Sequence, residues 1–294
     1  MSTVALATAL ICPGSPVLIE ADPSGADAPF RLRAPSGAWL DAEPWLGSLA
    51  SAARIGAVDP HQYAQDTLIG VAVVPGGRTP DEIAPLGTLW PVITETLRAA
   101  AGPVIVDFGR FTVGHAAERL LAACDVVLLV SRTDTSGLAH TRYLASTLVR
   151  LVGLGPDRTP KVMVVTTADR PRDGVRRARK DAAVVLEAAG LPCPVIGHIP
   201  ADAKAAAGLA NAPMTRYVAG SPLIRAARDI LTAVWAMRAD LAAQLPAQAG
   251  RGGGEALTTE DPTASGAAEP DPGDTAAPPT YRGAAAGEQV AGRG

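Results

Sequence analysis

Two aspartates directly follow apolar stretches of strand length, and carboxylates at such positions can organise a divalent cation beside a phosphate. Asp107 closes the run Val104–Val106, which is bounded by Gly102-Pro103 and Gly109. Asp22 follows a second such run, Val17–Ala21. Apolar runs of this kind predict strands buried on both faces of a parallel sheet, and ligands bind at the carboxyl edge of such sheets. The pair therefore predicts a metal–phosphate site, although either aspartate alone is explained as well by capping the loop after it.

The elements that must position these carboxylates alternate along the chain. Buried strands are predicted at 17–21, 67–74, 104–107, 125–131, 161–166 and 194–199. Helices are predicted at 2–11, 88–101, 116–123, 135–152, 175–189 and 221–245, and parts of the weakly patterned region 26–66, such as 45–54, have helical composition. This alternation predicts an α/β fold with helices on both faces of a mostly parallel sheet.

Composition limits the functions open to the protein. Among 294 residues, hydrophobic residues make up 48% and aromatic residues 4%, so the core must be built from Ala, Val, Leu and Ile. The formal net charge of −3 gives no global attraction to nucleic acid or anionic membrane. Cys12, Cys124 and Cys193 lie far apart, which favours small buried thiols in a reducing compartment. No signal peptide and no apolar run of bilayer-spanning length is found, so a cytoplasmic protein is expected.

The chain divides by composition near residue 245. Residues 1–245 are predicted to form the α/β domain, and residues 246–294 a disordered acidic tail rich in Pro, Gly and Ala. The tail contains Gly252-Gly253-Gly254, Pro270-Asp271-Pro272-Gly273 and Ala276-Ala277-Pro278-Pro279, with almost no large aliphatic residues. Such a segment cannot bury enough apolar surface to offset the entropy of ordering it.

Taken in order, several stretches resemble the MinD/ParA family of deviant-Walker P-loop ATPases. They are STVALATAL, VLIEADPSGAD, VIVDFG, DVVLLVSRTD, VVTTAD and GHIPAD, followed by a helix that opens with Ser221-Pro222-Leu223. The resemblance covers residues 2–245, and the order and spacing of the stretches carry it more than any single one. It implies a three-layer P-loop NTPase-like fold, ATP and Mg²⁺ as cofactors, and a homodimer that forms with ATP.

The resemblance also implies roles for individual residues. Asp22 would position the attacking water as the catalytic residue, and Asp107 would hold Mg²⁺ through water. Ser2 would supply the hydroxyl on Mg²⁺, with Thr3 beside it at the phosphates. Thr167, Pro200 and Asp202 would lie in the late loops that enclose the adenine. These assignments depend on a functional phosphate-binding loop.

The sequence departs from the family where that loop should stand. Aligning Ser2-Thr3-Val4-Ala5-Leu6 with the family's K-[ST]-T-x-A-L run places Met1 at the position of the loop lysine, and neither the glycine-rich loop nor the first strand is present. Because that strand is central in the family fold, its loss predicts a gap in the sheet with two unpaired edges. We therefore expect an N-terminally truncated chain or a degenerate P-loop, with ATP hydrolysis if an upstream P-loop exists and a pseudo-ATPase otherwise.

Three functional readings follow. The first is an ATPase homologue in spatial organisation: chromosome or plasmid partition, division-site placement, or positioning of secretion or pilus machinery, with a protein partner from such a system. The alternative is a non-catalytic interaction scaffold that keeps the fold. A third is non-specific DNA binding through a cluster of basic residues that could equally be a solvated helix start. The cluster comprises Arg170, Arg172, Arg176, Arg177, Arg179 and Lys180. The amphipathic helix 223–245 is predicted to pack on the sheet, and no integral membrane association is expected.

Overall fold

The protein is described by a computed structural model at residues 2–167, 174–211 and 215–243. The predicted tail, 246–294, lies outside the described residues, so its disorder and the domain boundary stay predictions. The strands are β1 (Val17–Glu20), β2 (Gln65–Asp66), β3 (Ala72–Val74), β4 (Val104–Asp107), β5 (Val127–Arg132), β6 (Val162–Thr167) and β7 (Val195–Ile199).

Helices connect and cover these strands. They are α1 (Thr3–Ile11), α2 (Ala28–Arg31), α3 (Leu46–Ala53), α4 (Pro80–Ile83), α5 (Trp90–Arg98), α6 (Glu118–Ala123), α7 (Thr135–Val152), α8 (Val175–Ala188), α9 (Ala203–Asn211), α10 (Arg216–Ala219), α11 (Pro222–Met237) and α12 (Ala239–Ala242). The predicted α/β fold class is confirmed.

The strands form two hydrogen-bonded sheets. The first has the order β2-β3-β1-β4, and the second has the order β5-β6-β7. All pairings are parallel except that of β2 with β3. In the register of β1 with β4, Glu20 lies opposite Asp107, so two carboxylates end neighbouring strands at the same level.

Helices cover both faces, and one apolar cluster joins the two sheets. On one face, α1, α9 and α11 pack over residues of both sheets, including Leu18 of β1 and Val165 of β6. On the opposite face, α3 and α5 cover the first sheet, while α7 and α8 cover the second. Phe108, directly after β4, packs against both of these opposite-face clusters. The three-layer arrangement expected from the sequence is therefore present.

The predicted gap lies between β4 and β5. Among the described strands, each of these two has a hydrogen-bonded neighbour on one side only. The four residues of β1 are fully buried, whereas Val104, Ile105 and Val106 of β4 are only half-buried. In the middle of β5, Val130 is 42% exposed, which is unusual for an aliphatic side chain in a parallel sheet. The edges of β4 and β5 that lack a hydrogen-bonded neighbour thus border an incompletely covered region of the molecule, which we call the seam.

Three sequence-based element predictions need correction. The predicted strand 67–74 is interrupted by a turn, because Gly70 has a positive φ and the Thr67 hydroxyl bonds Val71 on both its N–H and its carbonyl. The predicted helix 221–245 breaks at Arg238, whose buried guanidinium donates to the Asp125 carbonyl and the Asp240 carboxylate. Helices α4, α9 and α10 were not predicted from the sequence.

Candidate functional site

Asp107 lies where β4 ends, and its buried carboxylate binds two backbone N–H groups. One oxygen accepts from Ser2 at the start of α1, and the other accepts from Gly109 at 3.1 Å. Only 6% of the residue is exposed. The first helix is therefore anchored at the carboxylate that was predicted to hold Mg²⁺ through water, although 105 residues separate the two in sequence.

Asp22 lies against the loop that follows Asp107. Its Oδ1 accepts from the backbone N–H of Ser24 at 2.8 Å, which fixes the side chain in a tight turn. Gly109 has φ +53°, and a Cβ at that position would lie 1.7 Å from Asp22 Oδ2. Only glycine leaves room for the carboxylate there. The two predicted aspartates are thus brought together, as the positions of their strands required.

Glu20 is a third carboxylate at this sheet edge, and it was not predicted from the sequence. It is fully buried and accepts backbone N–H bonds from Asp27, Ala28 and Gly76. Burial raises its pKa, and the N–H groups of Gly76 and Ala28 oppose that rise. Through these bonds Glu20 ties the ends of the Asp22 loop to the segment after β3. The sequence signal that could have identified Glu20 is its position as an acidic residue inside an otherwise apolar run.

The N-terminus of α1 opens on the same edge. The Ser2 hydroxyl caps the helix by accepting from the N–H of Ala5 at 3.1 Å. Among the described residues, no acceptor bonds the N–H groups of Thr3 and Val4, as is usual for the first turn of a helix. The Thr3 hydroxyl accepts from Arg31 at 2.8 Å, which holds a guanidinium beside this turn. The same guanidinium lies 3.6 Å from the Asp27 carboxylate, which balances part of its charge, so the unbonded N–H groups are the main feature here that binds anions.

Thr167, Pro200 and Asp202 form a second group on the three-stranded sheet. Thr167 ends β6 opposite Ile199 of β7, and Pro200 follows directly. Asp202 caps α9 by accepting from Ala205 at 3.0 Å. Within the described ranges, no hydrogen bond links this group to Ser2, Asp22 or Asp107. The structure therefore brings together the predicted metal and phosphate residues, and it places the predicted adenine residues at the ends of β6 and β7 and before α9.

The basic residues that were predicted to bind DNA give weaker support for a functional site. Arg170 and Arg172 lie outside the described residues, whereas Arg176, Arg177, Arg179 and Lys180 are exposed on α8. Two of these cations have local partners, since Arg177 lies 3.6 Å from Asp181 and Arg179 donates to the Val195 carbonyl. Across residues 2–167, 174–211 and 215–243, no three His, Cys, Asp or Glu side chains are grouped to hold a metal ion by themselves.

Neither a cysteine nucleophile nor a membrane-spanning segment is apparent in the described part of the chain. Burial raises the pKa of Cys12 and Cys193 to about 11 and that of Cys124 to about 12, so all three stay protonated at neutral pH. In the same ranges, every helix is too short or too polar to cross a membrane.

Comparison with known proteins identifies the fold. No protein-family model and no curated protein matches the sequence. Among solved structures, a ParA family ATPase from Chlorobium tepidum is 16% identical with a TM-score of 0.56, over 79% of this chain and 92% of that one.

Two MinD structures are comparably similar. MinD from Pyrococcus horikoshii, solved with Mg-ADP, is 14% identical with a TM-score of 0.56, over 79% of this chain and 88% of that one. The MinC:MinD complex of Aquifex aeolicus gives 15% identity and a TM-score of 0.54, over 80% and 89%. At these identities the likeness establishes the fold: the chain has the α/β fold of the MinD/ParA ATPases.

Proposed function

We propose that this chain is a MinD/ParA-like ATPase homologue that acts in spatial organisation, such as partition, division-site placement, or positioning of secretion or pilus machinery. The observation that carries the proposal is the convergence of Asp22, Asp107 and the N-terminus of α1 on one sheet edge. The fold, shared with ATPases of which one was solved with Mg-ADP, supports the same function.

The residues at this edge suit Mg²⁺ and phosphate. Hard cations take oxygen ligands, and Asp107 and the Ser2 hydroxyl are the groups that would hold Mg²⁺, the aspartate through water. The bound ion would neutralise negative charge that develops on the phosphates. Thr3 and Val4 would present N–H groups to phosphate oxygens, with Arg31 adding positive charge. Asp22, fixed by its turn and by Gly109, would orient the attacking water and accept its hydrogen bond.

The expected strand and phosphate-binding loop remain part of the proposal. None of the three lysines of the given sequence, at 161, 180 and 204, lies near Ser2 in sequence. The half-covered edges of β4 and β5 support insertion of one strand between them. A loop from such a strand to Ser2 would lie over Asp107. Without the strand and loop, the site would bind nucleotide weakly and act as a pseudo-ATPase.

Calorimetry with Mg-ATP tests the nucleotide site. We expect binding to the full chain that Asp107→Asn weakens at least tenfold, because that substitution removes the buried charge facing the metal. Asp59→Asn is the matched control. Asp59, like Asp107, accepts the backbone N–H two residues on, and its partner His61 contacts the Ser15 carbonyl, at the end of β1 opposite to Glu20 and Asp107. An engineered chain with an apolar strand and a Gly-Lys loop joined ahead of Ser2 should bind more tightly.

The same experiment distinguishes the alternative function, a non-catalytic interaction scaffold, from the ATPase. If neither the full chain nor the strand-bearing chain binds Mg-ATP while both are folded by circular dichroism, the ATPase proposal fails. The non-catalytic scaffold would then be the better account. Binding that Asp107→Asn leaves unchanged would likewise remove the assigned site.

The proposal also includes the partners of the chain. A homodimer and a protein partner from a positioning system are supported by the similarity to MinD, which was solved together with MinC. Non-specific DNA binding through Arg170, Arg172, Arg176, Arg177, Arg179 and Lys180 is supported only by the exposed cations of α8, two of which already have local partners.

A further inference from the structure

Arg31 joins two separate elements of the candidate site. It is the last residue of α2, and its Nη2 donates to the Thr3 hydroxyl at 2.8 Å, across 28 positions of the sequence. Thr3 is the first residue of α1, the helix whose start was described above as a place that binds anions. A cation from the segment after β1 is therefore held beside that helix start.

The backbone that carries Arg31 is anchored on both sides. The N–H groups of Asp27 and Ala28 donate to the Glu20 carboxylate at 3.0 and 3.3 Å, and Ala28 is fully buried. Leu32, the residue after Arg31, is buried in the cluster that joins the two sheets. Because both ends of α2 are fixed, the guanidinium can change partners by rotation of its side chain alone.

Asp27 is a second partner of the same guanidinium, and its contact is the weaker one. The Asp27 Oδ2 lies 3.6 Å from the Arg31 Nη1, with the two residues four positions apart. The Arg31 side chain is 29% exposed and that of Asp27 is 50% exposed. Water competes for an ion pair of this kind, so the pair contributes little free energy and is readily exchanged for a stronger partner.

A phosphate would be a stronger partner than this carboxylate. The planar guanidinium stays charged and can donate two parallel hydrogen bonds to phosphate oxygens, which a single carboxylate oxygen at 3.6 Å does not provide. A phosphate oxygen that accepts from the Thr3 N–H would lie beside the residue whose hydroxyl already holds Arg31. The same anion could therefore use the helix start and the guanidinium together.

We propose that Arg31 is the phosphate-binding cation of this site, in place of the loop lysine that the sequence lacks near Ser2, and that it exchanges Asp27 for phosphate when a nucleoside di- or triphosphate binds. The inference rests on the proposed function, since it concerns the same nucleotide site. It adds that the cation comes from the segment after β1 and that Asp27 competes with the ligand for it.

Arg33 provides a matched control for Arg31. It lies two residues further on, but its guanidinium stacks 3.8 Å from the ring centre of Trp39 and donates to the Gly37 carbonyl at 3.0 Å. Substituting Arg33 changes the net charge by the same amount without removing the contact with Thr3. A difference between the two variants therefore reports on position and not on overall charge.

The first test is calorimetry with Mg-ATP on the full chain. We expect Arg31→Gln to weaken binding about tenfold to a hundredfold, because it removes hydrogen bonds to a charged group. Arg31→Lys keeps the charge but loses the two-pronged geometry, so its affinity should lie between those of Arg31→Gln and the wild type. Arg33→Gln should bind as the wild type does.

The second test uses a substitution that should act in the opposite direction. Asp27→Asn removes the competing carboxylate and should tighten Mg-ATP binding by about two- to fivefold, the range expected for an exposed ion pair. Asp41→Asn, also at an exposed residue, changes the net charge equally and should leave the affinity unchanged. If Arg31 and Asp27 served only to hold α2 in place, Asp27→Asn would weaken binding.

Chemical rescue separates a missing guanidinium from a distorted site. Methylguanidinium should restore part of the affinity that Arg31→Ala loses, whereas sodium at the same ionic strength should not. Thermal unfolding checks that each variant is folded, and if Arg31→Gln is not, Arg31→Lys and Asp27→Asn decide.

Two outcomes would overturn the inference, and they differ in what else they overturn. If Asp107→Asn weakens binding while Arg31→Gln binds as Arg33→Gln does, the role of Arg31 fails and the proposed function stands. If the folded wild type does not bind Mg-ATP, the proposed function fails and the role of Arg31 fails with it.

Discussion

Strands β1 and β4 are neighbours with similar sequences, yet their surroundings differ sharply. Each is a short apolar run closed by a carboxylate, and Glu20 lies opposite Asp107 in their register. β1 has strands on both sides and is fully buried, whereas β4 has one hydrogen-bonded neighbour among the described strands and stays half-covered. The difference separates two roles for a strand-ending carboxylate.

Glu20 ends the buried strand β1, which we call the sealed side of the sheet, and its carboxylate holds the surrounding loops by accepting their backbone N–H groups. Asp107, on the open strand, faces the start of α1 and the loop that contacts Asp22. Asp107 is also buried and accepts two backbone N–H groups, but Glu20 accepts three, so Asp107 keeps more of its acceptor capacity for an exchangeable ligand. The candidate site therefore lies at the boundary between the sealed and the open part of the sheet.

The largest expected effect comes from truncating the two apolar residues that face each other across these strands. Leu18 and Ile105 are register partners that pack towards the same cluster, but only Leu18 is fully buried. We expect Leu18→Ala to lower the free energy of unfolding by about 3–4 kcal/mol and Ile105→Ala by about 1–2 kcal/mol. Urea denaturation measures both. Equal costs would mean that the β4 edge is covered in solution.

A smaller effect is expected where Asp22 packs against Gly109. Gly109→Ala introduces both a strained positive φ and a clash with Asp22, and should cost about 2–3 kcal/mol of stability. Gly114 also has a positive φ but open space around its Cβ position, so Gly114→Ala should cost about 1 kcal/mol. Thermal unfolding of the two variants compares them. Similar losses would show that Asp22 does not press on Gly109.

The smallest effect concerns the pH dependence of stability. Because burial raises the pKa of Glu20 above about 4.5, the folded state binds its proton more tightly than the unfolded state. The stability of the wild type relative to Glu20→Gln should therefore be greatest below pH 4.5 and decline as the pH rises through the folded-state pKa. Urea titrations between pH 4 and 7 measure this difference.

Glu82→Gln provides a control of opposite sign. The hydrogen bond from Arg78 lowers the pKa of Glu82, so its contribution is present above about pH 4.5 and is lost as the pH falls. Slopes of the same sign for the two glutamates would contradict the assignment of Glu20 as the carboxylate on the sealed side.

The sheet edge and the gap beside it could be predicted from the sequence, because they depend on patterns within short stretches of the chain. Apolar runs closed by Asp22 and Asp107 placed both residues on one sheet edge, and the unmatched first strand anticipated the seam between β4 and β5. These features depend on strand periodicity and order, which a sequence records directly. The helices from 135 to 152 and from 175 onward were located for the same reason.

Other features depend on contacts between distant parts of the chain. That Gly109 makes room for Asp22 follows from the tertiary packing of two loops and has no local signature. Glu20 has a weak local signal, an acidic residue inside an apolar run, but its burial depends on the distant loop at Gly76 that packs on it. The contact of Arg31 with Thr3 joins the weakly patterned region 26–66 to the first helix, and the irregular backbone of that region leaves no periodicity to recognise.

The cluster that joins the two sheets also sets the order in which the protein can fold. Its helices include α1 and α11, the first helix and the last long helix, which pack directly on each other. Contacts between residues so distant in sequence close late and slow the folding of a domain. During synthesis, the face of the first sheet that α1 covers cannot be completed until α11 has been made, whereas the cluster on the opposite face uses residues of the N-terminal half alone.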